Sequence, residues 1–153
     1  MRVLISGSTG LIGTALLDAL RQQKHELARL VRPSTRNRPA GRARSPEPLS
    51  IAWDPLAGTL DAAANGAEAV VHLAGASIAD ARWTAARKRL LGQSRIAATR
   101  HLVEALSRLA SPPGIFLAAS AIGFYGDRGD EQLTESSAPG RDFLADLCVS
   151  WET

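Results

Sequence analysis

Residues 2–13 read RVLISGSTGLIG, and this short stretch decides the fold class. The β-branched run from Arg2 to Ser6 predicts a strand, and the apolar spacing over residues 11–23 predicts a helix. The link between them is the glycine loop Gly7-Ser8-Thr9-Gly10-Leu11-Ile12-Gly13. A strand, a glycine loop and a helix in this order are typical of the first unit of a dinucleotide-binding α/β protein.

Each glycine of the loop has a physical role at such a site. Gly7 lets the chain turn sharply off the strand, Gly10 lets the backbone approach a pyrophosphate, and Gly13 lets the helix pack against the sheet. Backbone N–H groups at the start of the helix then face the phosphates. The pattern favours cofactor binding by the whole loop over the alternative, a plain tight turn.

The rest of the chain alternates strand and helix patterns, which predicts a parallel sheet covered on both faces. Further strands are predicted at residues 26–31, 50–53, 67–73 and 115–120. Helices are predicted at residues 83–109, with a break near Gly92, and at 142–152, and loops at 33–48 and 121–140. The expected fold class is α/β: a Rossmann-like doubly wound parallel sheet in three αβα layers, with residues 1–153 forming one NAD(P)-binding domain.

Composition fits a soluble globular protein, with 45% apolar and 22% charged residues. Cys148 is the single cysteine, which excludes an internal disulfide and fits a reducing compartment. The sequence shows neither a signal peptide nor the ~20 apolar residues that span a bilayer. We therefore expect a cytoplasmic protein without membrane contact. No metal site is expected either, because the three histidines lie far apart without matching carboxylates.

The net charge of +3 comes largely from one proline-rich loop, which carries Arg32, Arg36, Arg38, Arg42 and Arg44. The loop is either a solvated surface segment or an anion site for a phosphate of the cofactor. Nucleic-acid binding ranks third, because no aromatic residues are interleaved with the arginines. We therefore expect no nucleic-acid partner.

The end of the second predicted strand distinguishes the two nicotinamide cofactors. A carboxylate there would bind the ribose 2′-hydroxyl of NAD, but the strand ends Leu30-Val31-Arg32. The Arg32 guanidinium is a natural bidentate partner for a 2′-phosphate. The alternative is an ordinary surface arginine. This feature favours NADP over NAD.

Several further motifs accompany the glycine loop: WDP at residues 53–55, VVHLAG at 70–75, RWT at 82–84, SR at 94–95, and SAIGFYGDRG at 120–129. With these motifs the chain resembles the extended short-chain dehydrogenase/reductase superfamily. More narrowly, it is similar to the atypical epimerase-family branch related to the NAD-dependent epimerase/dehydratases. The resemblance covers the whole chain, and the combination of motifs is far more specific than the glycine loop alone.

The resemblance implies roles for residues beyond the loop. Leu73, Ala74 and Gly75 match the turn under the nicotinamide ribose. Ser120 matches the superfamily's catalytic serine, although it is equally well explained as a cap for the turn that follows. Tyr125 matches the tyrosine of the family's FYG segment, and it either lines the catalytic site or packs under the loop.

The chain departs from the superfamily at the Tyr-x-x-x-Lys pair, whose tyrosine is the acid/base and whose lysine lowers the tyrosine pKa. The matching helix holds Leu144 and Cys148 at those positions. The resembling branch also lacks the usual pair. Two functions therefore stay open. One is an NADP-binding oxidoreductase or epimerase-like protein that acts on an unknown small molecule. The other is a non-catalytic NAD(P)-binding sensor or scaffold.

The resemblance also bears on the extent of the chain. Proteins of this branch continue for about as long again, adding strands and a substrate-capping part. We therefore expect these 153 residues to be the cofactor-binding half, with the substrate-binding part absent. A fragment of this kind would expose an apolar face, through which it would form a homodimer.

Overall fold

A computed structural model describes residues 1–33 and 48–153 of the chain. Within them lie two compact units, Met1–Ala118 and Ala119–Thr153. The arginines Arg36, Arg38, Arg42 and Arg44 of the predicted basic loop lie outside the described residues.

The described part of the first unit is built on a six-stranded sheet. Its strands are β1 (Arg2–Ser6), β2 (Glu26–Val31), β3 (Leu49–Asp54), β4 (Thr59–Leu60), β5 (Ala69–His72) and β6 (Ile115–Ala118). Their spatial order is β4-β3-β2-β1-β5-β6, and every pairing is parallel except that of β4 with β3. Because β1 lies between β2 and β5, the strand order reverses at the β1–β5 pair. This position is the topological switch point of a doubly wound sheet, where ligands bind.

The side chains of β1 show how the sheet is covered on both faces. Leu4 belongs to a buried cluster with Leu102 and Leu106, whereas Val3 belongs to a separate cluster with Leu17. Successive side chains of a strand point to opposite faces. The helix that carries Leu17 is α1 (Leu11–Gln22), and α3 (Ala98–Ser107) carries the other two leucines. The two helices therefore cover opposite faces, which confirms the predicted three-layer α/β architecture.

The helix predicted at residues 83–109 is a continuous helical stretch of three parts. Helix α2 (Ala85–Gly92) is followed by a π-helical segment (Gln93–Ala97) and then by α3. Helix α2 begins after Thr84, whose hydroxyl accepts a hydrogen bond from the backbone N–H of Arg87 at 3.2 Å. The predicted break near Gly92 therefore corresponds to a change of helical hydrogen bonding, and the chain does not leave the helix there.

The second unit contains helix α4 (Phe143–Glu152), which begins one residue after its predicted start. Asp142 is its N-cap, because the carboxylate accepts a hydrogen bond from the N–H of Ala145 at 2.9 Å. The prediction of a continuous loop over residues 121–140 is wrong in one place, since Ile122–Tyr125 forms a 3₁₀ turn. In that turn the N–H of Phe124 bonds to the carbonyl of Ala121 at 3.0 Å.

Two short elements were not predicted, namely β4 and a 3₁₀ turn at Ala62–Ala64. In addition, β6 ends at Ala118, two residues before the predicted strand end at Ser120. Within residues 1–33 and 48–153, no helix is both long enough and apolar enough to cross a bilayer.

Candidate functional site

The glycine loop meets the Leu73–Ala74 turn at the switch point of the sheet. Gly7 has a φ of +68°, which side chains rarely adopt. A Cβ at Gly7 would lie 2.7 Å from the carbonyl carbon of Leu73 and 2.8 Å from the nitrogen of Ala74. The two loops are therefore in backbone contact, and the structure brings these predicted cofactor-binding residues together at the carboxyl ends of β1 and β5.

Helix α1 begins next to this contact, with its Gly13 packed against Gly7. A Cβ at Gly13 would lie 2.3 Å from the carbonyl oxygen of Gly7, so the helix reaches this close packing only with glycine there. The N-cap is Gly10, and no side chain of the described residues caps the helix. The first helical side chains are apolar yet exposed, Leu11 by 91% and Ile12 by 67%. No acidic side chain in the first turn and no side-chain cap among the described residues offsets the positive end of the α1 dipole.

A buried pair, Ser6 and His72, supports the turn after β5. The Ser6 Oγ accepts hydrogen bonds from the N–H groups of Leu73 at 3.2 Å and Ala74 at 3.3 Å. With both lone pairs used, the hydroxyl donates its proton to the Nδ1 of His72, 2.6 Å away. This network assigns the neutral imidazole with its proton on Nε2.

Burial lowers the pKa of His72 to about 4, because the charged imidazolium would lose its hydration. The Nε2 atom is buried and has no hydrogen-bond partner among the described residues, and the Phe116 ring lies 6.2 Å from the imidazole, centroid to centroid. His72 is thus a structural histidine that fixes Ser6.

Two residues of the π-helical segment form hydrogen bonds to the backbone of Ala76, which follows the same turn. The Ser94 Oγ accepts a hydrogen bond from the N–H of Ala76 at 3.1 Å, and the Nη1 of Arg95 donates to the carbonyl oxygen of Ala76 at 3.0 Å. The half-buried Arg95 guanidinium lies against Gly75, where a Cβ would be 3.3 Å from the Cζ atom. Both polar groups of the Ala76 backbone are therefore engaged by neighbouring residues of one helical segment.

Arg32 lies at the same edge of the sheet as the glycine loop. Ser6 is paired with Leu30 across β1 and β2, so Arg32 comes two residues beyond the end of the pairing, at the carboxyl end of β2. Its side chain is exposed. This is the place that a residue recognising the adenosine ribose would occupy.

Ser120 and Tyr125 belong to the second unit. The Ser120 hydroxyl donates a hydrogen bond to the Oε1 of Glu152 on α4, a partner that the sequence analysis did not identify. Tyr125 is half-buried in the 3₁₀ turn, and its ring stands edge-on to that of Phe124, with 5.1 Å between the centroids. The catalytic roles of Ser120 and Tyr125 stay predictions.

The residues at the superfamily's acid/base positions are a leucine and a cysteine, and both are in contact with residues of the same unit. Leu144 packs against Gly123, where a Cβ would lie 3.2 Å from the leucine Cβ. The Cys148 thiol is buried, and its Sγ is 3.8 Å from the carbonyl oxygen of Ala121. Neither residue supplies an acid and a base of the Tyr-x-x-x-Lys kind.

Other motif residues have structural explanations. Trp53 is buried, and the Asp54 carboxylate accepts hydrogen bonds from two N–H groups of the next turn. The indole N–H of Trp83 donates to the carbonyl of Ile78 at 2.8 Å, which fixes the loop after the β5 turn. Within the described ranges no group of three or more His, Cys, Asp or Glu side chains could hold a metal ion.

The sequence analysis missed the supporting roles of Ser6, Arg95 and Glu152. Ser6 was considered only as the last residue of a strand, and Glu152 is far from Ser120 along the chain. The Ser94-Arg95 motif contributed to the family resemblance, but its contact with residues 75–76 depends on a helix that begins ten residues later in the chain.

Known proteins match the chain along almost its whole length. The model of the NAD dependent epimerase/dehydratase family matches residues 3–143. An epimerase family protein of Mycobacterium bovis, Mb2239, is 41% identical over 99% of this chain, which is 46% of that protein. The chain thus spans about half the length of the curated relatives it matches.

Solved structures agree with this result. Human epimerase family protein SDR39U1, crystallised with NADPH, has a TM-score of 0.77 and 30% identity over 99% of this chain and 48% of its own. A nucleoside-diphosphate sugar epimerase from Corynebacterium glutamicum has a TM-score of 0.75 and 37% identity over 99% of this chain and 29% of its own. The chain therefore belongs to the NAD dependent epimerase/dehydratase family.

Proposed function

We propose that the first unit binds NADP(H) at the switch point between β1 and β5. The observation that carries the proposal is the backbone contact of Gly7 with Leu73 and Ala74, below a helix whose N-terminus has no side-chain cap among the described residues. Such an arrangement offers N–H donors and a positive dipole end to a diphosphate. The similar human SDR39U1 was crystallised with NADPH, which supports the choice of cofactor.

Gly10 provides a test of fit to the cofactor. A Cβ at Gly10 would approach only the carbonyl oxygen of Gly7, at 3.4 Å, and its φ of −77° suits any residue. Packing within the protein therefore gives little reason for glycine at this position. A diphosphate lying close to the backbone supplies one, because a side chain would occupy its space.

Arg32 is the residue proposed to select NADP over NAD. Arg32 is exposed and follows β2, the strand after which a residue that recognises the adenosine ribose stands in such folds. A guanidinium binds a phosphate through charge-assisted hydrogen bonds, which a 2′-hydroxyl does not match in strength. We expect Arg32 to contact the 2′-phosphate.

The chemistry proposed is a redox or epimerase-like reaction of a small molecule. Bound NADP would supply or accept a hydride. In this chain the Ser120 hydroxyl donates to Glu152, so its oxygen is oriented to accept a hydrogen bond from a substrate hydroxyl. By the family resemblance, Tyr125 would also line the catalytic site.

The binding experiment compares NADPH and NADH by calorimetry and by nicotinamide fluorescence. We expect tighter binding of NADPH, and Arg32→Ala should remove most of that preference while leaving NADH binding unchanged. The control is Arg100→Ala, which removes an exposed guanidinium of α3 and should preserve the preference. Equal affinities in the wild-type chain would contradict the assignment of Arg32.

A second candidate function is a non-catalytic sensor or scaffold. The observation that favours it is the apolar pair Leu144 and Cys148 at the superfamily's acid/base positions. The two functions are separated by adding sugar nucleotides and simple carbonyl compounds to the chain loaded with NADPH or with NADP⁺, and following both the absorbance of the nicotinamide and the conversion of each compound. Net oxidation or reduction of the nicotinamide, or conversion of a sugar nucleotide to its epimer, supports the enzyme. Tight cofactor binding without any of these changes across the panel supports the sensor.

A further inference from the structure

The proposed function assigns no role to Arg95, the cationic side chain beside Gly75. Arg95 lies in the π-helical segment between α2 and α3, and its Nη1 also lies 3.4 Å from the Ser94 Oγ. Single stretches of π-helix inside α-helices are frequently found at functional sites. Here the segment places a guanidinium at the carboxyl end of β5.

The position of Arg95 relative to the glycine loop follows from two close contacts. Its Cζ, Nη2 and Nη1 atoms lie 3.3–3.5 Å from a Cβ built on Gly75. One residue earlier, Ala74 is in backbone contact with Gly7. The guanidinium therefore flanks the same crevice as the helix N-terminus, on the β5 side.

The β5 side of the crevice corresponds to one half of a dinucleotide. A doubly wound sheet binds one mononucleotide on each side of its switch point, and the half that begins with β1 and β2 takes the adenosine. Arg32 follows β2 and Arg95 is adjacent to the turn after β5. The two arginines thus flank opposite halves of the ligand.

Charge gives a reason for a cation here. A diphosphate carries about two negative charges, whereas a helix N-terminus offers roughly half a positive charge. A guanidinium held by the Ala76 carbonyl is already oriented, so little side-chain freedom is lost when a ligand binds.

We propose that Arg95 is a cofactor-binding residue whose guanidinium contacts the diphosphate on the nicotinamide side. The proposal rests on the proposed NADP(H) site and adds to it a second anion-binding residue that is indifferent to the 2′-phosphate. Arg32 separates NADPH from NADH, whereas Arg95 binds the part that both cofactors share.

The test measures the binding of four probes to the wild-type chain and to Arg95→Gln. The probes are NADPH, NADH, ADP-ribose and 2′-AMP, of which the last lacks the diphosphate. We expect Arg95→Gln to weaken the first three by on the order of tenfold or more, because one charge-assisted hydrogen bond is lost. Binding of 2′-AMP should not change, and the salt dependence of NADPH binding should become shallower.

Two further variants separate ligand contact from support of the turn. Ser94→Ala removes the hydrogen bond to the Ala76 N–H but keeps the guanidinium, so its effect should be small. Arg95→Lys keeps the charge and should retain part of the affinity. If Ser94→Ala weakens binding as much as Arg95→Gln and lysine restores nothing, Arg95 only supports the turn and the proposal is overturned.

The outcomes also distinguish this proposal from the one on which it depends. A folded wild-type chain that binds neither NADPH nor NADH refutes the proposed function. A wild-type chain that binds both, with Arg95→Gln binding them equally well, refutes only the role of Arg95. The matched control is Arg100→Gln on the exposed side of α3, which should leave every probe unaffected.

Discussion

Acidification should destabilise the first unit through a single histidine. His72 is fully buried beneath the β5 turn, and its Nδ1 accepts the Ser6 proton in the neutral tautomer. Protonation of Nδ1 would remove that acceptor and place a charge at a position that solvent does not reach. The folded state therefore excludes a proton that the unfolded chain binds readily.

The pKa values give the direction and the size of the effect. The His72 pKa falls from 6.5 in the unfolded chain to about 4 in the folded protein. Between these values the unfolded state binds more protons, so stability rises with pH. The contribution is complete above pH 6.5 and is lost as the pH falls towards 4. At about 1.4 kcal/mol for each pH unit, the loss amounts to roughly 3 kcal/mol.

The assay is denaturant unfolding at several pH values between 4 and 7, for the wild-type chain and for His72→Asn. The variant cannot titrate, so the difference between the two pH profiles isolates His72 from the carboxylates and the other histidines. Below pH 6.5, we expect the free energy of unfolding to fall more steeply with decreasing pH for the wild-type chain than for His72→Asn. Parallel profiles for the two proteins would refute the reasoning.

Three substitutions test the packing of the helices by denaturant unfolding. Gly13→Ala should cost about 1–3 kcal/mol, because its Cβ would overlap the carbonyl oxygen of Gly7. Gly92→Ala, where a Cβ meets nothing within 4 Å, should instead stabilise the helical stretch by about 0.5–1 kcal/mol. Asp142→Ala should cost about 1 kcal/mol by removing the cap on the Ala145 N–H, and Asp142→Asn should retain most of that stability.

Much of the fold could be predicted from local pattern. Strands β1 and β2 have the predicted bounds, because each is an apolar run that lies next to a turn signal in the sequence. Strand β4 has only two residues, too few to show a periodic pattern in the sequence. It is recognised only by its antiparallel pairing with β3, in which Asp54 lies opposite Thr59. The π-helical segment is likewise invisible to a pattern with a period near 3.6 residues.

Of the candidate site, the glycine loop could be predicted from the spacing of its glycines, but the contacts that support it could not. The loop from Gly7 to Gly13 is contiguous, whereas its supporting contacts join residues distant in sequence. Ser6 meets His72 across two paired strands, and Arg95 meets Gly75 from a later helix. Such contacts follow from the strand order and the path of the helix, which the amino-acid types alone do not specify.

The central claim is that the glycine loop binds a nicotinamide dinucleotide, and one titration tests it directly. Wild-type chain and Gly10→Ala are titrated with NADPH while nicotinamide fluorescence is followed, after circular dichroism has established that both are folded. Because packing leaves room for a Cβ at Gly10, the variant should fold, and it should bind NADPH far more weakly than the wild-type chain. Absence of NADPH binding by the folded wild-type chain, or equal binding by both proteins, would contradict the account.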